Sequence, residues 1–204
     1  DNNTLSQDYN AEYTAVIDNY VDNVVISTYS KQKENAEKLL NAVLKFSESG
    51  SQNDLDKACD AWRSTRVPWE ESEAFLFGPA ATYSLDPSLD SWPLDKVQIE
   101  KYLSSSIDFD VDGLGSTVRG FHTLEYLLFE DGKARKASTI SDRQKEYMVA
   151  VATGIRNDSF KLWYYWNGNN NLSSDDEELI EELEPDEAAD GFGKRFKQPN
   201  LYDQ

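Results

Sequence analysis

Apolar residues recur three and four positions apart across most of this chain, and nowhere do they alternate over a strand's length. Tyr9, Tyr13, Val16, Ile17, Tyr20, Val24 and Val25 keep one helical period, which Ala36, Leu39, Leu40, Val43 and Leu44 continue. The pattern predicts one long helix, or two in line, from Gln7 to about Ser47. The stretch Ser47-Glu-Ser-Gly50-Ser-Gln breaks it, and Asn53 or Asp54 caps a second helix towards Phe77. Pro68 removes a backbone donor there, so a kink is expected before Gly78-Pro79 ends the element. Turn formers from Ala80 to Pro93 predict a loop, and Leu94 to Leu103 a short helix. Ser116 or Thr117 opens a helix to about Glu130, stopped by Asp131-Gly132, and Ser141 caps a last long helix through Trp166. Its final residues Trp163, Tyr164, Tyr165 and Trp166 read as core and rim rather than as a sugar-binding surface. With no strand pattern and no Asn-Gly hairpin, the class is all-α, an antiparallel helical bundle.

Composition bounds the function. At 204 residues, with 39% hydrophobic and 28% charged, the chain is neither disordered nor a membrane span. A net charge of −18 repels phosphate backbones, so nucleic acid is excluded as a partner. Ten acidic residues and no basic one lie between Ser173 and Asp190, so residues 1–167 are expected to form the bundle and 168–204 an acidic loop or tail with one helical turn. The one cysteine, Cys59, cannot form an intrachain disulfide. The chain opens on Asp1-Asn-Asn-Thr without a basic and apolar leader, and the expectation is that any targeting signal or lipid anchor has been removed.

Polar residues interrupt two apolar seams. Val118, His122, Glu125 and Phe129 step four, three and four residues, so His122 and Glu125 share a face of a mostly apolar helix. A lone buried carboxylate costs several kcal/mol, roughly, unless it is paired or bound to a metal. Trp62, Arg66, Trp69, Glu73 and Leu76 follow the same steps, with Glu70 at the edge. Facing helices that each place a carboxylate in an apolar seam point to an inward metal site, and oxygen ligands with one imidazole suit iron, zinc or manganese. The same residues also suit a buried ion pair of Arg66 with Glu73 or Glu125, with His122 a satisfied core histidine. The single histidine excludes a His-Glu-x-x-His protease site. A Cys59–His122 nucleophilic pair lacks a glycine-rich turn and ranks low.

Gly120-Phe-His122-Thr-Leu-Glu125 resembles the Gly-x-His-x-x-Glu signature of the imelysin family. The run from Ala61-Trp62-Arg63 to Trp69-Glu-Glu-Ser-Glu73-Ala-Phe-Leu-Phe-Gly78-Pro79 looks like a second block of that family, and Ser91-Trp92-Pro93-Leu94-Asp95 is similar to a third. The resemblance implies an all-helical fold of two bundle-like halves, of which this chain resembles the first, with 168–204 as a tail or the start of the second. It implies residence in the bacterial envelope, as a periplasmic protein or outer-membrane lipoprotein with other envelope proteins as partners. It also implies a divalent or ferric metal ion, iron before zinc, for acquisition or sensing. On that reading His122, Glu125 and Glu73 are the ligands, while Arg66, Glu70 and Asp95 line the pocket or orient them. The alternatives are a zinc-dependent metallopeptidase with Glu73 or Glu70 as general base, and a non-catalytic interaction module with a buried ion-pair network.

Overall fold

A computed structural model describes residues 3–186 and 188–198, with side chains from residue 11 onward. Helix α1 (Asn3–Asn19) runs through a π-helical segment, Tyr20–Ile26, into α2 (Ser27–Ser49). Gly50 closes α2 at φ 60°, where its N–H donates to Phe46 O at 2.8 Å. Ser51 caps α3 (Gln52–Glu71) by accepting from Asp54 N, so this cap lies two or three residues before the positions the sequence favours. The two-residue connection turns α3 back along α2, and α8 (Asp142–Asn167) packs on α2 as the third long rod. Ser141 and Gln144 form the reciprocal cap that opens α8.

The core lies between these rods. Leu39, Val43 and Phe46 from α2 meet Leu55 and Trp69 from α3 and Tyr147, Val151 and Phe160 from α8, all essentially without solvent contact. Each such aliphatic or aromatic side chain contributes about 1.5–3 kcal/mol of burial free energy. Trp163, Tyr164, Tyr165 and Trp166 are buried, as core residues.

Three stretches differ from the sequence reading. Residues 80–93 are not a loop throughout, because α4 (Pro79–Thr82) and α5 (Leu85–Asp90) lie there. Pro87 is third in α5, inside the first turn, where a missing N–H costs nothing. The acidic tail is also structured: α9 (Ser174–Leu183) opens on a Ser173–Asp176 reciprocal cap, and α10 (Gly191–Lys197) follows. Asp175, Asp176 and Glu177 favour the positive end of α9, and Leu179, Ile180 and Leu183 pack against the core beneath the charge. Phe192 and Phe196 bring α10 onto Trp166, with ring centroids 4.8 and 6.1 Å apart. Finally, Asp131 and Gly132, both at positive φ, make the turn of a short hairpin joining β1 (Phe129–Glu130) to β2 (Lys133–Ala134). The rest is helix, turn and loop, and the fold is all-α. Among the described residues no helix is long and apolar enough to cross a membrane.

Candidate metal site

Three elements meet beside the Gly120 turn. Helix α7 (Gly120–Leu128) begins at Gly120, whose φ of 78° suits only glycine. A Cβ there would lie 2.3 Å from Leu89 O and 2.7 Å from Ser88 O. Without one, the start of α7 rests directly on the end of α5, which sets Asp90 of α5 beside His122 of α7.

Asp90 is held from α3. Arg66 Nη1 donates to its Oδ1 at 2.6 Å and Trp69 Nε1 to its Oδ2 at 2.8 Å. The same Oδ1 lies 3.2 Å from His122 Nε2, while His122 Nδ1 lies 3.2 Å from Glu125 Oε2. Arg66 also pairs with Glu70, one turn along α3, and its guanidinium lies over the Phe121 ring at 5.1 Å. Trp62 Nε1 donates to Phe121 O at 3.1 Å, tying α3 to the first turn of α7. Trp92 covers the imidazole, with ring centroids 5.0 Å apart.

His122 and Glu125 do face one another, but at an open pocket and not in a sealed interior. The His122 side chain is 24% exposed and that of Glu125 46%. The buried face of α7 is instead formed by Phe121, Leu124, Leu127 and Leu128. Beside the pair is a cavity of about 340 Å³ whose walls include Trp62, Trp92, Tyr126, Phe129, Arg63 and Lys96.

Of the remaining candidates, Arg66 and Glu70 join this network through Asp90 and through each other. Glu73 does not. The α-helical wheel that aligned it with Arg66 stops at Glu71, where the chain tightens into a 3₁₀ turn, Ser72–Phe75, and Glu73 becomes exposed. Asp95 instead caps α6 (Lys96–Ser104), accepting from Gln98 N at 2.9 Å. Cys59 is buried against Leu128 O, 3.9 Å away, and burial pushes its thiol up to about 12. Asp90 is the network member that the sequence reading left out, and Trp69, read only as part of the apolar seam, is the donor that holds it. Asp90 stands directly before the Ser91-Trp92-Pro93 block, and its place is set by the Gly120 contact, which local sequence does not show.

A second polar cluster lies behind α5. Ser88 Oγ donates to Asp158 Oδ2 at 2.5 Å, and Arg119 Nη2 donates to the same oxygen at 2.8 Å, in a buried pair. Burial raises the Asp158 carboxyl above its ordinary value, against the opposing pull of Arg119 and Ser88.

Among the described residues, no three His, Cys, Asp or Glu side chains converge as a metal-holding group. The His122–Glu125 pair nevertheless fits two positions of a coordination sphere. Two donors held about 2.1 Å from one ion at near right angles stand roughly 3 Å apart, close to the 3.2 Å observed.

The imelysin family model matches residues 25–193. Iron-regulated protein A of Synechococcus elongatus is 31% identical over 150 residues, which are 74% of this chain and 39% of that protein. A crystal structure described as an iron-regulated protein A precursor from Parabacteroides distasonis superimposes with a TM-score of 0.77 at 37% identity, covering 94% of this chain and 51% of the other. An imelysin-like protein from Psychrobacter arcticum, at 14% identity and a TM-score of 0.64, shares the fold over 89% of this chain. The chain thus spans about half the length of the first of these structures and less of the Synechococcus protein.

Proposed function

Because this chain belongs to the imelysin family, we propose that it binds iron through His122 and Glu125, for acquisition or sensing in the bacterial envelope. Two similar proteins carry the name iron-regulated protein A. That name supports the choice of metal, and the family supports the envelope as its setting.

The observation that carries the proposal is the orientation of the imidazole. Asp90, fixed by Arg66 and Trp69, stands with Oδ1 3.2 Å from His122 Nε2, so a metal at Nδ1 would put the ring's proton on Nε2, facing that carboxylate. This is the carboxylate–histidine arrangement that sets the tautomer and raises the basicity of a metal-binding ring. Nδ1 and Glu125 Oε2 share a hydrogen bond at 3.2 Å, and a cation bound between them would stand where that proton does. His122 and Glu125 would hold the ion in place of that proton, and iron would supply a Lewis-acidic centre with further positions open to oxygen donors. The residues of this chain bind and orient: His122 and Glu125 hold, Asp90 aims, and Trp92 shields one face of the ring from water.

A zinc hydrolase is the weaker reading, since it asks for three protein donors and a free general base. Here Glu70 is engaged by Arg66, and Glu73 is exposed on the 3₁₀ turn after α3.

Titration with ferrous and ferric iron, followed by elemental analysis, tests the proposal. One equivalent is expected on the wild type and none on His122→Ala or Glu125→Ala. Retention of iron by His122→Ala at wild-type affinity overturns it.

A further inference from the structure

The cavity beside His122 and Glu125 is out of proportion to a bare ion. Its volume of about 340 Å³ lies within the range of small-molecule sites, about 300–1,000 Å³. A single water-sized occupant needs only on the order of 10–15 Å³. Two protein donors also leave at least two positions of an oxygen-seeking cation to be filled.

The lining indicates what fills them. Trp92 stands over the imidazole with 70% of its surface exposed, a large apolar ring facing solvent at the mouth of a polar site. Trp62 and Phe129, in edge contact at 5.3 Å, extend the aromatic lining. Two cations rest on these rings: Arg63 over Phe129 at 4.8 Å and Lys96 over Tyr126 at 5.4 Å. Arg63 is also paired with Asp60 at 2.9 Å, and the lining holds the carboxylates of Glu125 and Asp131.

We infer that the occupant is an iron complex of a small aromatic chelator bearing paired anionic oxygens, of the ortho-diphenolate class. Its oxygens complete the coordination begun by His122 and Glu125, its ring lies against Trp92 and Trp62, and Lys96 and Arg63 meet the outer oxygens. The inference rests on iron binding at His122 and Glu125, as proposed above.

Binding of ferrous ion, ferric citrate and the ferric complex of 2,3-dihydroxybenzoate is measured by tryptophan quenching and, for the last, by its visible charge-transfer band. The aromatic complex should bind at least tenfold more tightly than the citrate complex. Trp92→Ala should remove that preference, Trp92→Phe should retain most of it, and His122→Ala should lose all three probes. Equal affinity for the two ferric complexes, or a preference that survives Trp92→Ala, overturns the inference while iron binding stands. Tight binding of iron-free 2,3-dihydroxybenzoate overturns it as well, because the ring alone would then be the ligand. If no probe binds the wild type, or all bind His122→Ala equally, iron binding fails and the inference with it.

Discussion

Asp90 faces His122 Nε2 at 3.2 Å with both of its own oxygens already held from α3. On the proposed function it is therefore a positioning residue, which would act on a bound ion only through the ring. Asp90→Asn removes the charge facing Nε2 and sets an amide NH2 against one of the two donors that hold this side chain, Arg66 or Trp69. Loss of such an orienting carboxylate typically costs 10- to 100-fold in metal affinity. Isothermal titration of the variant should show a drop in that range at unchanged stoichiometry, and wild-type affinity would count against the assigned role.

Gly120→Ala should be severe. The new methyl meets Leu89 O at 2.3 Å in a backbone conformation that alanine avoids. Strain and overpacking each cost about 1–3 kcal/mol, so a loss of roughly 3 kcal/mol is expected in chemical denaturation. Iron affinity should fall with it, since the contact sets Asp90 beside the ring. A variant as stable as the wild type would show that the α5–α7 contact is soft.

The buried Arg119–Asp158 pair predicts a strong asymmetry between breaking and replacing it. Asp158→Ala leaves an uncompensated guanidinium inside the protein, at a cost of about 3–5 kcal/mol. The double variant Arg119→Met with Asp158→Leu removes both charges and should recover most of that loss. Urea midpoints of the three proteins decide it, and an additive double variant contradicts the expectation.

Acid should weaken the attachment of α9. Burial opposes the charge of Asp176, but Lys33, 2.5 Å away, and the backbone and hydroxyl of Ser173 outweigh it, so its carboxyl sits below the ordinary value. The folded protein thus binds fewer protons at this group than the unfolded chain. Its stabilisation is present above the unfolded value of about 3.9 and is lost as the pH falls through the lower folded one. Asp176→Asn should cost about 2 kcal/mol at neutral pH, and the difference from wild type should shrink below about pH 4. A difference constant from pH 7 to pH 3 refutes the linkage.

Cys59 should be silent in the native state. With its thiol pushed up to about 12 by burial, about one part in ten thousand is ionised at pH 8. A disulfide-exchange reagent should find no reactive thiol under native conditions and one equivalent in urea. Rapid native labelling would mean that α3 opens at this point.

The long rods were legible because each carries a sustained apolar period, and so was the His122–Glu125 pair, which needs only one turn of α7. Longer extrapolation failed at identifiable points. Glu73 was projected along a wheel beyond the end of its helix. In α5, Asp86, Pro87 and Ser88 resemble a turn but fit a first helical turn. In α9 the charge run hid Leu179, Ile180 and Leu183, which are spaced as a partly buried edge. Asp90 depends on a backbone-to-backbone approach between residues about thirty apart in sequence, and no local pattern encodes that.

Helix α5 answers to two masters. Its Ser88 is committed to the interior and its Asp90 to the site at the surface, within six residues that leave no slack to absorb an adjustment. Evolutionary drift at either residue is therefore yoked to the other: a lineage that repacks its interior around position 158 must also re-aim the His122 imidazole, and one that retunes the imidazole inherits a constraint from deep inside the fold.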